Sequence, residues 1–131
     1  MKKSMIALLA LFSFTVFGGE EILLEIREPA RTHHPEMVTT ISRFGDSYLI
    51  RKDMKGRKPV EKGITSADAN YYQGQLYSFL IKDEASRKPS SVCKEKLLFV
   101  EVPLLKGKMH VCPAERARYF EIIAIRTRMN N

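Results

Sequence analysis

The 131-residue sequence has only two cysteines and three histidines. Two cysteines exclude a four-cysteine zinc site, and the histidines lack the H-x-x-x-H spacing that commonly holds a metal. The chain has no H-E-x-x-H, no G-x-S-x-G elbow, no phosphate-cradling glycine loop and no dinucleotide fingerprint. The usual signatures of metalloprotease, α/β-hydrolase, nucleotide-hydrolysing and dinucleotide-dependent chemistry are therefore missing. No repeat, low-complexity tract or linker divides the chain, which suits one domain. Beyond residue 18 no run approaches the about 20 apolar residues of a spanning helix.

What is present begins at Met1. Lys2 and Lys3 form a short positive region, Ser4 to Phe17 are almost wholly apolar, and Val16 and Gly18 occupy the −3 and −1 positions of a cleavage site. That is the layout of a secretory signal peptide over residues 1–18, with residues 19–131 expected as a single small α+β domain. No cysteine follows the apolar run, so lipid attachment at a processed cysteine is excluded. Cleavage removes only Lys2 and Lys3 from the 22 basic residues, lowering the +7 formal charge by two. The expected location is exported, in the periplasm or secreted, with no membrane span after cleavage.

Export gives Cys93 and Cys112 their meaning. In an oxidising compartment an even number of cysteines implies disulfides. The pair lacks the C-x-x-C spacing of a redox motif, so the sequence predicts a structural bridge between Cys93 and Cys112.

The period of two in Glu21–Arg27 places Ile22, Leu24 and Ile26 on one face of a strand. Residues 28–35 break it with two prolines. Met37–Phe44 and Ser47–Asp53 read as strands around a Gly45-Asp46 turn, and Lys55-Gly56 leads into a short fourth strand ending near Lys62. Thr65 is placed to cap a helix whose apolar stripe is Ala69, Tyr72, Leu76, Phe79 and Leu80. Residues 85–91 read as a loop. Lys96–Val102 is apolar on both faces and predicts an interior strand, followed by a turn at Lys106-Gly107 that sets Cys112 opposite Glu101. Pro113 opens a last helix with Ala117, Phe120, Ile123 and Ala124 as the expected buried face. The predicted fold is α+β: a small antiparallel sheet, made of a β-meander plus a disulfide-stapled hairpin, packed by two helices.

Two constellations carry chemistry. His33, His34 and Glu36 have the side-chain types of a zinc site, but adjacent residues in an extended loop point apart, so no metal and no cofactor is expected. Residues 51–62 hold six basic and two acidic side chains, whereas residues 19–46 hold six acids against three bases. Arg51, Lys52, Lys55, Arg57, Lys58 and Lys62 thus form a candidate surface for an anionic partner. Tyr48 is the sole aromatic nearby, so nucleic acid, which favours interleaved aromatics for stacking, is not the expected partner. Tyr71 and Tyr77, off the core stripe of the first helix, are a second candidate binding surface.

The functional expectation is an exported, non-catalytic domain that binds a protein or an anionic envelope macromolecule, an inhibitor-like module being one form of it. The alternative is a small secreted hydrolase, nuclease-like, working through His33, His34 or His110 with arginines.

Overall fold

The computed structural model describes residues 19–86 and 93–131. The expected signal segment 1–18 and most of the expected loop 85–91 lie outside them. The elements are β1 (Glu21–Glu28), β2 (Met37–Phe44), β3 (Ser47–Met54), β4 (Val60–Ile64), α1 (Ser66–Ser86), β5 (Leu98–Val102), a 3₁₀ turn (Pro103–Leu105), β6 (Gly107–Val111) and α2 (Arg116–Asn130). All six strands form one antiparallel sheet in the order β4-β3-β2-β1-β5-β6. The fold is the α+β arrangement that the periodicity predicts, with β5 in the interior between β1 and β6. Among the described residues no helix is long and apolar enough to cross a membrane.

The meander forms for local reasons. Gly45 supplies a positive φ of 58° at the first central residue of the β2–β3 turn, and Gly56 one of 84° in the β3–β4 turn. Such backbone is nearly free for glycine and costly for other residues. Alternation then does the rest. Leu24 and Ile26 of β1, Thr39 and Ile41 of β2, Ile50 of β3, Leu98, Val100 and Val102 of β5, and Met109 and Val111 of β6 share one buried face. Leu23 sits at an irregularity in the β1–β2 register and is buried as well, so β1 departs from the strict alternation of Ile22, Leu24 and Ile26.

Both helices cover that one face. The Thr65 hydroxyl accepts the Asp68 N–H at 3.1 Å, capping α1 as expected. Ala69, Leu76 and Leu80 are buried and Tyr72 and Phe79 pack against the core. Fully burying each leucine of this kind stabilises the fold by roughly 1.5–3 kcal/mol relative to exposure. The helix continues through Ala85 and Ser86, two residues the composition assigned to a loop. Helix α2 runs back beside α1, with the Tyr72 hydroxyl donating to the Arg128 carbonyl at 3.2 Å and Arg128 donating to Gln75.

Two sequence expectations are corrected. The β5–β6 turn is the 3₁₀ segment Pro103–Leu105, closed by Lys106 at φ 57°. The register is therefore Glu101 opposite Lys108 and Leu98 opposite Val111, and Cys112 is not opposite Glu101. Pro103 lacks the N–H to extend the ladder, so pairing ends at Val102 and the turn is longer than a Lys-Gly pair provides. The second correction concerns α2, which begins at Arg116 after a turn holding Pro113. Its buried face is Tyr119, Ile122, Ile125 and Met129, with Ile123 half-buried, whereas Ala117, Phe120 and Ala124 are exposed. The observed stripe has a helical spacing of three and four, as the expected one does, and it brings Tyr119 to Glu28 of β1.

Cys93 and Cys112 are bridged, with Cα atoms 5.8 Å apart. The bond ties the segment before β5 to the end of β6.

Candidate functional site

Antiparallel pairing decides which loops meet. β1 ends where β2 begins, β3 ends where β4 begins, and β5 begins where β6 ends. Residues 29–36, 55–59, 93–97 and 112–115 therefore share one end of the sheet, with the first turn of α2 beside them. The Lys55 N–H donates to the Glu36 carbonyl at 3.1 Å, joining the hairpin tip to the β1–β2 loop directly. This end carries Arg31, Lys55, Arg57, Lys58, Lys94, Lys96, Arg116 and Arg118 against Glu36, Glu95 and Glu115. The opposite end holds Glu20, Glu21 and Asp46 with Lys106 and with Arg43, which pairs with Glu21.

Not all six basic candidates of residues 51–62 contribute equally. Arg51 lies on the open face of the sheet between Asp53 at 3.6 Å and Glu61 at 3.1 Å, so neighbouring carboxylates offset its charge. Lys52 and Lys62, paired with Val60 and Ile50 respectively, stand on the helix-bearing face. Lys55, Arg57 and Lys58 occupy the exposed tip. The structure thus brings three of the six together at the end and distributes the others over two faces.

The aromatic candidates do not share a surface. Tyr71 is exposed and sits edge-on to Tyr72 with centroids 5.4 Å apart. It borders an open groove of about 560 Å³ between the helices, together with Gly74, Phe79, Ile125 and Arg128. Tyr77 instead packs on the core, over Gly107 of β6, where an added Cβ would come within 3.2 Å of its ring.

Beneath the basic end lies a buried polar cluster that the sequence did not disclose. Glu28 is buried at the end of β1, and both its carboxylate oxygens are engaged. The Tyr119 hydroxyl donates to Oε2 at 2.8 Å, and Arg126 donates to Oε1 as an ion pair. Burial alone would raise the Glu28 pKa, but the hydrogen bonds from Arg126 and Tyr119 and the nearby positive charge outweigh it and hold it below the ordinary value. The Tyr119 phenol is pushed up, first by burial and then by its bond to Glu28. Arg31 completes the cluster from the loop side. Its guanidinium donates to the Tyr119 hydroxyl at 2.5 Å and lies 5.1 Å from the ring centroid.

That contact anchors the β1–β2 loop. Arg31 and His34 exchange backbone hydrogen bonds at 2.7 and 3.1 Å, forming an isolated bridge. The loop lines an open cleft of about 780 Å³, with Arg31, Thr32, His33 and His34 on one side and Glu95 and Lys96 on the other. The His34 Nδ1 lies 2.8 Å from the Pro35 carbonyl, and His33 is exposed. His110 is elsewhere, on edge strand β6, its ring centroid 5.0 Å from that of Phe99. Among the described residues no group of three His, Cys, Asp or Glu side chains is arranged to hold a metal.

Arg116 and Arg118 open α2, where positive charge opposes the helix dipole. Arg118 pairs with Glu115, whose carboxylate also accepts the Cys112 N–H at 3.1 Å. Arg116 lies over the exposed Phe120 ring, 5.3 Å from its centroid. Comparison of the chain with known protein families, curated proteins and solved structures finds no match in any of the three.

Proposed function

We propose that the chain is an exported, non-catalytic binding domain whose basic end receives an anionic macromolecule of the envelope or extracellular space. The observation that carries the reading is the joining of the Lys55–Lys58 tip to the β1–β2 loop through the Lys55–Glu36 backbone bond. It sets the basic tip beside the loop that carries Arg31, at an end of the sheet where bases outnumber acids. Such a field concentrates anionic partners and orients their approach. Export is supported by the signal-peptide layout of residues 1–18 and by the Cys93–Cys112 bond, a modification typical of oxidising compartments.

The geometry of the cluster supports a structural role for it. A carboxylate with both oxygens occupied by Tyr119 and Arg126 holds the loop in place and leaves no lone acid aimed at solvent. Retention on the native envelope fraction tests the reading. Binding to the polymer fraction that is released as salt rises supports it. Capture by an envelope protein with no polymer retention replaces the polymer with an acidic protein face. Nucleic-acid or peptidoglycan cleavage that is lost when His33 or His34 is changed overturns the non-catalytic assignment.

A further inference from the structure

Five of the nine described arginines are paired with carboxylates. Arg27, Arg43, Arg51, Arg118 and Arg126 each sit against a carboxylate. Arg31, like Arg57, Arg116 and Arg128, has no carboxylate within ion-pair distance among the described residues, and it is held in place by both the hydroxyl and the ring of Tyr119. One N–H of five serves that anchor, which leaves most of the guanidinium fork for a ligand. A fixed fork loses little conformational entropy on binding and matches the geometry of a phosphoryl oxyanion. The cleft beside it adds the ammonium of Lys96, the hydroxyl of Thr32 and the imidazoles of His33 and His34. Lys96 lines the cleft opposite that loop, three residues from the bridged Cys93.

We infer that the cleft between the β1–β2 loop and residues 95–96 is a phosphoryl-binding subsite, with Arg31 as its preorganised fork and Lys96 as the opposing point charge. The inference rests on the basic-end reading and deepens it: the tip attracts the polyanion, and the cleft grips one phosphoryl group of it. Glu95 lines the same cleft and opposes the ligand. Its carboxylate lowers the affinity of the cleft for an anion.

The test is an NMR titration of the oxidised, ¹⁵N-labelled protein, as isolated from expressing cells, with sodium phosphate at constant ionic strength. Saturable shifts at the amides of Arg31, Thr32, His33 and Lys96 are expected. Arg31→Gln and Lys96→Gln each weaken the response about tenfold, the scale of one charge-assisted contact. Arg31→Lys weakens it despite keeping the charge, and Glu95→Gln tightens it. Matched titrations with polyphosphate and with phosphatidylglycerol vesicles assign the source. A polymer is assigned if polyphosphate binds more tightly than free phosphate, and a lipid headgroup if the vesicles do so while phosphatidylcholine vesicles do not bind.

Shifts that never saturate, or that centre on Lys55, Arg57 and Lys58, overturn the subsite. So does a Lys96→Gln protein, folded by near-ultraviolet circular dichroism, that binds phosphate as before; this variant keeps the test valid if Arg31→Gln fails to fold. Loss of polymer binding on changing the tip, with phosphate titration intact, leaves the subsite standing. Phosphate titration that fails while tip-dependent polymer binding persists removes the subsite alone.

Discussion

The hydroxyl of Tyr119 donates to the carboxylate of Glu28 at 2.8 Å, joining residues 91 positions apart in the chain. This bond ties the start of α2 to the end of β1. Through Arg31, which donates to the same hydroxyl, it also fixes the loop at the basic end.

The first prediction follows from the charge of Glu28. Its folded pKa lies below the ordinary 4.5, so its contribution to stability is complete above about pH 4.5 and is lost as pH falls through the lower folded value. At pH 7, Glu28→Gln lowers stability by about 2 kcal/mol, the range for hydrogen bonds to charged groups. Urea unfolding across pH 7 to 3 should show the wild-type advantage shrinking toward acid. An advantage that stays constant over that range contradicts the account of the cluster.

The disulfide gives a second prediction. It links positions separated by 19 residues, and in the chain-entropy model closing such a loop stabilises the fold by about 3 kcal/mol. Cys93→Ser should lower unfolding free energy by that order while preserving the far-ultraviolet circular dichroism spectrum. Because residues 95–96 lie close in sequence to the bridged Cys93, exchange of their amides with solvent should accelerate more than that of β2 amides. Uniform acceleration would deny the local role.

Thr39 supplies a third. Its hydroxyl is buried beneath the helices with no hydrogen-bond partner among the described residues. A buried hydroxyl without a partner costs about 1–3 kcal/mol. Thr39→Val removes the polar atom at similar volume, so it should raise the melting temperature. A fall of several degrees would show that the hydroxyl is satisfied in solution.

Much of this fold is written locally. Gly45 and Gly56 mark the meander turns, Thr65 marks the start of α1, and the Ala69–Leu76–Leu80 stripe marks its buried side. Those features depend on backbone sterics and apolar spacing, which a sequence displays. The face of α2 is not written that way. Phe120 reads as core by its apolarity but is exposed; two stripes of helical spacing compete there, and the one through Tyr119, Ile122, Ile125 and Met129 is buried. A tyrosine–glutamate contact across 91 residues leaves no periodic trace. The β5–β6 register likewise turned on where pairing stops at Pro103, a single-residue effect that shifts every later partner. For the site, the basic tip was legible as a charge run. Its union with Arg31, His33 and His34 was not, since only the strand order places those loops together.

The measurement that tests the central claim most directly is the affinity of the protein for anionic polymer of the envelope fraction, before and after changing Lys55, Arg57 and Lys58 together to glutamine. These side chains are exposed at the tip, and exposed surface substitutions of this kind change stability little, so the melting temperature should stay nearly constant. The account predicts a wild-type affinity that falls steeply with added salt, because exposed charges are screened within about 8–10 Å at physiological ionic strength. It predicts a triple variant that binds several-fold more weakly and with a shallower salt dependence. Binding that survives both high salt and the triple change would contradict it.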